Sequence, residues 1–202
     1  MARPTIDNVR QLGDFATTYN WMMRIAEMPN VSFSDDNYVT YQASSVISSD
    51  GKELNLRCTT TKLPEVEVDV AEANIRGFIS RQPGQIKQGG SIDFTFIDTV
   101  GAPVERFFQA WRETQWKTGD GSQASKLGGQ GVLEIIRTDR QGAGDMGTGN
   151  FIFSYTLVGA WCSKVTLSDL QSSSNDLFQV TATIVYDYPK MTYSGHPDVG
   201  RN

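Results

Sequence analysis

Residues 151–188, FIFSYTLVGAWCSKVTLSDLQSSSNDLFQVTATIVYDY, decide the fold. Ile152, Ser154, Thr156 and Val158 alternate with Phe153, Tyr155 and Leu157. Val165 and Leu167 alternate with Lys164, Thr166 and Ser168. Phe178, Val180, Ala182, Ile184 and Tyr186 alternate with Gln179, Thr181, Thr183, Val185 and Asp187. A period of two marks a strand with one buried face, so the block predicts three strands of an antiparallel meander. Ser172 to Asp176 supplies a turn from short side chains that bond nearby backbone, and Gly159 releases the chain just before Trp161, a candidate core residue.

Working outward, Phe15 to Ala26 predicts a first strand, with Tyr19, Trp21, Met23 and Ile25 on one face, and a helix as the weaker alternative because Met, Arg and Ala favour it, after a mixed polar arm over residues 1–14. Pro29 to Gly51 is rich in Ser, Asp and Asn and has no strong period beyond a short strand at Tyr38 to Gln42, which predicts a surface insertion. Leu54 to Thr61 sets Leu54, Leu56 and Cys58 against Asn55, Arg57 and Thr59, a half-buried strand that Pro64 ends. Glu65 to Val70 alternates most cleanly, with Val66, Val68 and Val70 on one face and Glu65, Glu67 and Asp69 on the other. Turns are predicted at Gln82-Pro83-Gly84 and Gly89-Gly90, followed by a strand whose Phe94 and Phe96 are candidate core.

Pro103 to Lys117 predicts the one helix. Proline suits a first turn whose N–H has no partner, Glu105 favours the positive end, Lys117 the negative end, and Gly119 terminates it. Val104, Phe107, Phe108 and Trp111 fall at helical spacing, so Phe107, Phe108 and Trp111 are read as core.

The chemistry-bearing patterns are poor. A formal charge of −5 counts against tight nucleic-acid binding, which relies on clustered Lys and Arg. Cys58 and Cys162 lie in no metal-ligand or redox spacing and read as buried thiols. Gly119 to Gly131 lacks a Gly-Lys-Ser/Thr ending and reads as a long mobile loop. Gly142 to Gly147 spells GxGxxG but leads into a strand at Phe151, whereas a dinucleotide site needs a helix N-terminus there, so it reads as a hairpin loop. His196 is the only histidine, in a polar tail from Pro189 to Asn202 read as flexible. The Glu65, Glu67 and Asp69 stripe lacks the contrasting environments that acid/base pairs need. No enzyme and no cofactor are expected. The N-terminus shows no secretion signal and no apolar run spans a bilayer, so no membrane anchor and synthesis in the cytoplasm are expected.

An ordered set of features resembles the tail tube proteins of contractile-tailed bacteriophages. These are Gly13-Asp14-Phe15-Ala16 before an aromatic strand, Cys58 in a strand leading to Leu63-Pro64, the helix bearing Phe107 to Trp111, and Leu157 to Trp161 through Tyr188. The insertion at 29–51 departs from that pattern. The resemblance implies one mainly β domain over 1–202, an antiparallel barrel or sandwich with one flanking helix, that assembles into hexameric rings stacked as the inner tail tube. It further implies partners in the sheath, baseplate and tape-measure proteins, a virion location, and DNA passing through without specific binding. Glu65, Glu67 and Asp69 are then candidates for the lumen wall or for a subunit interface. The type VI secretion tube protein shares the fold and is the near alternative; a soluble β-barrel that binds a small ligand is the alternative from another class.

Overall fold

The computed structural model describes residues 18–27, 29, 32–34, 40–42, 52–116, 121–123, 125, 128–138, 151–171 and 175–193. In chain order these give β1 (Trp21–Glu27), β2 (Ser32–Ser34), β3 (Thr40–Gln42), α1 (Lys52–Arg57), β4 (Cys58–Thr61), β5 (Glu67–Ile75), β6 (Phe78–Lys87), β7 (Gly90–Ile97), α2 (Pro103–Gln115), β8 (Gly131–Thr138), β9 (Phe151–Leu167), β10 (Gln179–Tyr186) and β11 (Tyr188–Tyr193). The fold is mainly β, as the alternation implies. The residue 1–14 arm, most of the 29–51 insertion, the GxGxxG stretch and His196 lie outside the described residues.

Two antiparallel sheets share β9. Its first half pairs with β8, which pairs with β1, and on its other edge with β11. Its second half pairs with β10, then β7, then β4. The expected break at Gly159 is absent: residues 151–167 form one strand of 17 residues, bent rather than ended. Gly159 adopts φ +68, and a Cβ there would run into the Asp187 carboxylate. Opposite it, the Asp187 N–H donates to the Val158 carbonyl at 3.0 Å, and β10 gives way to β11. Both long strands therefore turn the corner together, passing from one sheet into the other. The chain also does not leave the fold at Pro189, because Tyr188 to Tyr193 pairs with Val158 to Phe153.

The bend shifts the phase of the alternation. Leu157 is buried, and after Gly159 the inward positions become Ala160 and Cys162, which leaves Trp161 half-buried rather than in the core. A second bulge between Thr183 and Ile184 returns Val165 to the inner face.

Phe94, Phe96, Phe107, Phe108 and Trp111 are all buried between the sheets and α2. Ring centroids lie 5.0 Å apart for Phe96 and Phe108, 5.1 Å for Phe107 and Phe108, and 5.8 Å for Phe107 and Trp111. The Trp111 Nε1–H donates to the Gly129 carbonyl at 2.7 Å. That bond ties the end of the glycine-rich segment to the core, so at least this part of the loop read as mobile is structural. Helix α2 has no capping side chain at Ala102; Asp98, four residues earlier, accepts from the N–H groups of Val104 at 3.4 Å and Glu105 at 3.0 Å. This satisfies first-turn donors and sets a negative charge at the positive end of the helix.

Three local readings change. Lys52 to Arg57 is a helical turn, so Leu54 and Leu56 point in opposite directions, Leu54 buried and Leu56 exposed. Pro83-Gly84 is not a turn; both lie inside β6, and the chain reverses at Arg76-Gly77. Among the described residues the sheets do not close into a barrel by hydrogen bonding either. β1 and β4 end the strand order unpaired with each other, and the Met23 N–H instead donates to Asn55 Oδ1 at 2.8 Å.

Trp111→Ala is expected to cost about 3–5 kcal/mol through lost burial and the cavity left behind. Gly159→Ala is expected to cost at least about 1–2 kcal/mol from the left-handed backbone alone. Urea unfolding of each variant checks both values.

Candidate assembly interface

Strands β5 and β6 form a separate two-stranded sheet that pairs with no other described strand. The turn at its tip is a two-residue loop, Arg76 at φ 53 and Gly77 at φ 85, which matches the right-handed twist of a tight hairpin. Ten residues at about 3.3 Å each make β6 an arm of roughly 30 Å. Pro83 is tolerated because the arm's strands are edge strands, and the bulge facing Asp69 uses Gly84, where a Cβ would meet the Asp69 carbonyl at 2.9 Å.

Directly paired residues share a face, so the register defines two surfaces. One carries Val68 beside Ile86, Val70 beside Pro83, and the Glu72–Arg81 ion pair at 2.7 Å nearer the tip. The other carries Ile75 beside Phe78 at the tip, Ala71 and Ala73 behind them, and Glu67, Asp69 and Lys87 at the root. Its apolar patch thus lies at the tip, where Ile79 of the first face, beside Asn74, is also exposed. None of these apolar side chains is covered: Phe78 is 79% exposed and Val70 62%. The valines opposite the acidic stripe do not pack on the body.

Glu65, Glu67 and Asp69, the sequence's lumen or interface candidates, sit at the root of this arm. Lys87 Nζ lies 2.7 Å from Asp69 and 3.7 Å from Glu67, and its pKa is raised by the hydrogen bond to Asp69 and the charge of Glu67. The stripe is therefore partly neutralised within the arm. Sequence reasoning missed the arm's Ile75, Arg76, Phe78, Ile79 and Ile86. An Arg-Gly pair between two alternating runs was the available signal, but Pro83-Gly84 is the stronger turn dipeptide.

Elsewhere the structure offers little chemistry. Two adjoining clefts follow the seam between β1 and β4, one of about 510 Å³ bordered by Thr18, Trp21, Asn55 and Thr59 to Thr61, the other of about 260 Å³ bordered by Trp21, Leu63, Ile135 and Arg137. Among the described residues no group of three or more His, Cys, Asp or Glu is arranged to hold a metal. Burial pushes the thiols of Cys58 and Cys162 up to about 12.

A sequence profile for the family described as phage tail tube protein matches residues 16–191. The fold is similar to a chain of the sheath-tube complex of an extracellular contractile injection system named PVC, in the extended state, with TM-score 0.58, 12% identity, and coverage of 96% of this chain and 100% of that one. It is also similar to a chain of the anti-feeding prophage tube terminating cap, with TM-score 0.57, 14% identity, and coverage of 90% and 93%. No curated protein matches the sequence.

Two outcomes follow. Val68→Asp and Ile86→Asp, which remove no contact with the body, are expected to change monomer stability by less than about 0.5 kcal/mol. Because both thiols have a raised folded-state pKa, their contribution to stability is full below pH 9.0 and is lost as the pH rises toward about 12. Urea unfolding across that window, with the Cys58→Ala/Cys162→Ala variant as reference, measures it.

Proposed function

The chain belongs to the phage tail tube protein family, and on that premise we propose that it is the ring-forming subunit of the inner tube of a contractile injection apparatus. In this reading its role is structural. The observation that carries the reading is the arm. A lone two-stranded hairpin is marginally stable in water, and this one exposes apolar side chains on both faces. Neighbouring copies supply the missing cover, arranged as hexameric rings that stack into a conduit. Among the described residues, the outer edges of β11 and of the second half of β9 have no ladder partner and offer further backbone pairing between copies.

The similar structures come from injection systems, which fits the secretion-machine alternative better than the DNA-ejecting virion. Sheath and baseplate proteins are the partners this reading implies. Glu65, Glu67 and Asp69, being on the arm and held in part by Lys87, are proposed as interface residues rather than lumen wall.

Electron microscopy of the purified protein is expected to show rings or fibres, and Val68→Asp with Ile86→Asp to abolish them while the monomer stays folded. A monodisperse monomer at high concentration, or normal rings from the double variant, contradicts the proposal.

A further inference from the structure

The two clefts on the seam between β1 and β4 meet at Trp21, which borders both. The smaller, of about 260 Å³, has Trp21, Leu63 and Ile135 as its apolar lining and Arg137 as its one charge. Strand pairing sets Arg137 between Trp21 and Phe153, and its guanidinium lies over the Phe153 ring, 5.5 Å from the centroid. A guanidinium stacked by its face keeps its in-plane N–H donors ready for a carboxylate. Arg137 is half-buried, and among the described residues no carboxylate pairs with it. A cation partly withdrawn from water without a counter-charge is costly, and an anion brought to it offsets that cost.

The larger cleft, of about 510 Å³, is bordered by all four residues of β4, Cys58 to Thr61, and by Asn55. Its polar groups are partly committed, which defines what remains. Asn55 Oδ1 accepts from the Met23 N–H at 2.8 Å, so the Asn55 amide group remains to donate. The hydroxyls of Thr59 and Thr61 donate to the Thr95 carbonyl at 3.1 Å and the Lys62 carbonyl at 3.2 Å, so their lone pairs remain to accept. The β1 side of the seam is held by backbone bonds, from the Trp21 N–H to the Tyr19 carbonyl and from the Thr138 N–H to the Asn20 carbonyl, both at 3.1 Å. Together the clefts fall within the roughly 300–1,000 Å³ of ligand-binding sites.

We propose that this seam binds the C-terminal end of an extended peptide. Its carboxylate sits on Arg137, its last, apolar side chain on Trp21, Leu63 and Ile135, and its preceding amides along Asn55, Thr59 and Thr61. A lone guanidinium in an apolar compartment matches a single carboxylate with an aliphatic or aromatic branch beside it. An acidic sugar has the carboxylate and the hydroxyls but no such branch. Donor and acceptor sites side by side suit amides, each of which carries one N–H and one C=O. Cys58 to Thr61 spans about 13 Å, the length of roughly four extended residues. The seam belongs to the body rather than the arm, so this site stands or falls apart from the tube reading.

Labelled hexapeptides ending in leucine, valine, phenylalanine or glycine, each as the free acid and as the C-terminal amide, are titrated with the protein and read by fluorescence anisotropy. Free acids with an apolar last residue are expected to bind with Kd below about 1 mM. Amidation is expected to weaken them about tenfold, Arg137→Gln to weaken the free acids by the same factor, and amidation to have no further effect on that variant. Thermal unfolding checks that Arg137→Gln folds; the amide and glycine-ended peptides test the site on the unaltered protein in either case. The proposal is overturned if no free acid saturates the protein, if acid and amide or leucine and glycine ends bind alike, or if a folded Arg137→Gln binds undiminished. Competition by N-acetyl-leucine or glucuronate as strong as that of the unlabelled hexapeptide also overturns it, in favour of a small carboxylate or an acidic sugar.

Discussion

The corner at Gly159 and Asp187 is the constraint from which the architecture follows. Strands β9 and β10–β11 stay paired along their length while passing from one sheet into the other, which demands that both bend at the same point. Gly159 bends in a left-handed conformation and makes room for the Asp187 side chain. Gly89, in the turn before β7, has φ +84, and a Cβ there would meet the Asp187 carbonyl at 2.7 Å. Three segments cross closely at Asp187, one glycine facing its side chain and the other its carbonyl, so two of them supply glycine. The close crossing also fixes the start of β7, and with it the place where the arm leaves the body.

From that corner the sheets diverge and enclose a space that α2 fills. The helix is anchored at its start by the Asp98 carboxylate, itself 3.7 Å from the Arg57 guanidinium, and at its end by the bond from Trp111 to Gly129. Packing of Phe94, Phe96, Phe107, Phe108 and Trp111 then supplies the body with a core. The arm has no such core. Its order comes from one ladder of backbone bonds, a tight turn and exposed ion pairs, which are individually weak. Body and arm thus divide the work between folding and association, and substitutions in the two regions separate stability from assembly.

The alternation of polar and apolar residues was enough to read β1, β7 and β10, and the pattern of Pro103, Glu105 and the aromatic spacing was enough to read α2. Where the reading failed, a local rule met a competing one. Leu54, Leu56 and Cys58 fit a strand, but Leu56 is exposed, since a helical turn precedes the short β4. Pro83-Gly84 is a strong turn signal that an unpaired edge lets β6 absorb. Trp161 satisfied the alternation until the extra residue at Gly159 moved the inner face to Cys162.

By itself the sequence determined the mainly β class, the helix and most of the aromatic core, and the order of features that marks the family, because each of these is written in local spacing. Periodicity says which residues share a face, and it is silent on what covers that face. Only the tertiary structure decided that the valines and Phe78 are bare and that β1 and β4 leave a seam bridged by Asn55. Those outcomes depend on strand register and on a corner made by residues far apart in the chain, and register is set by the whole set of partners rather than by any one stretch.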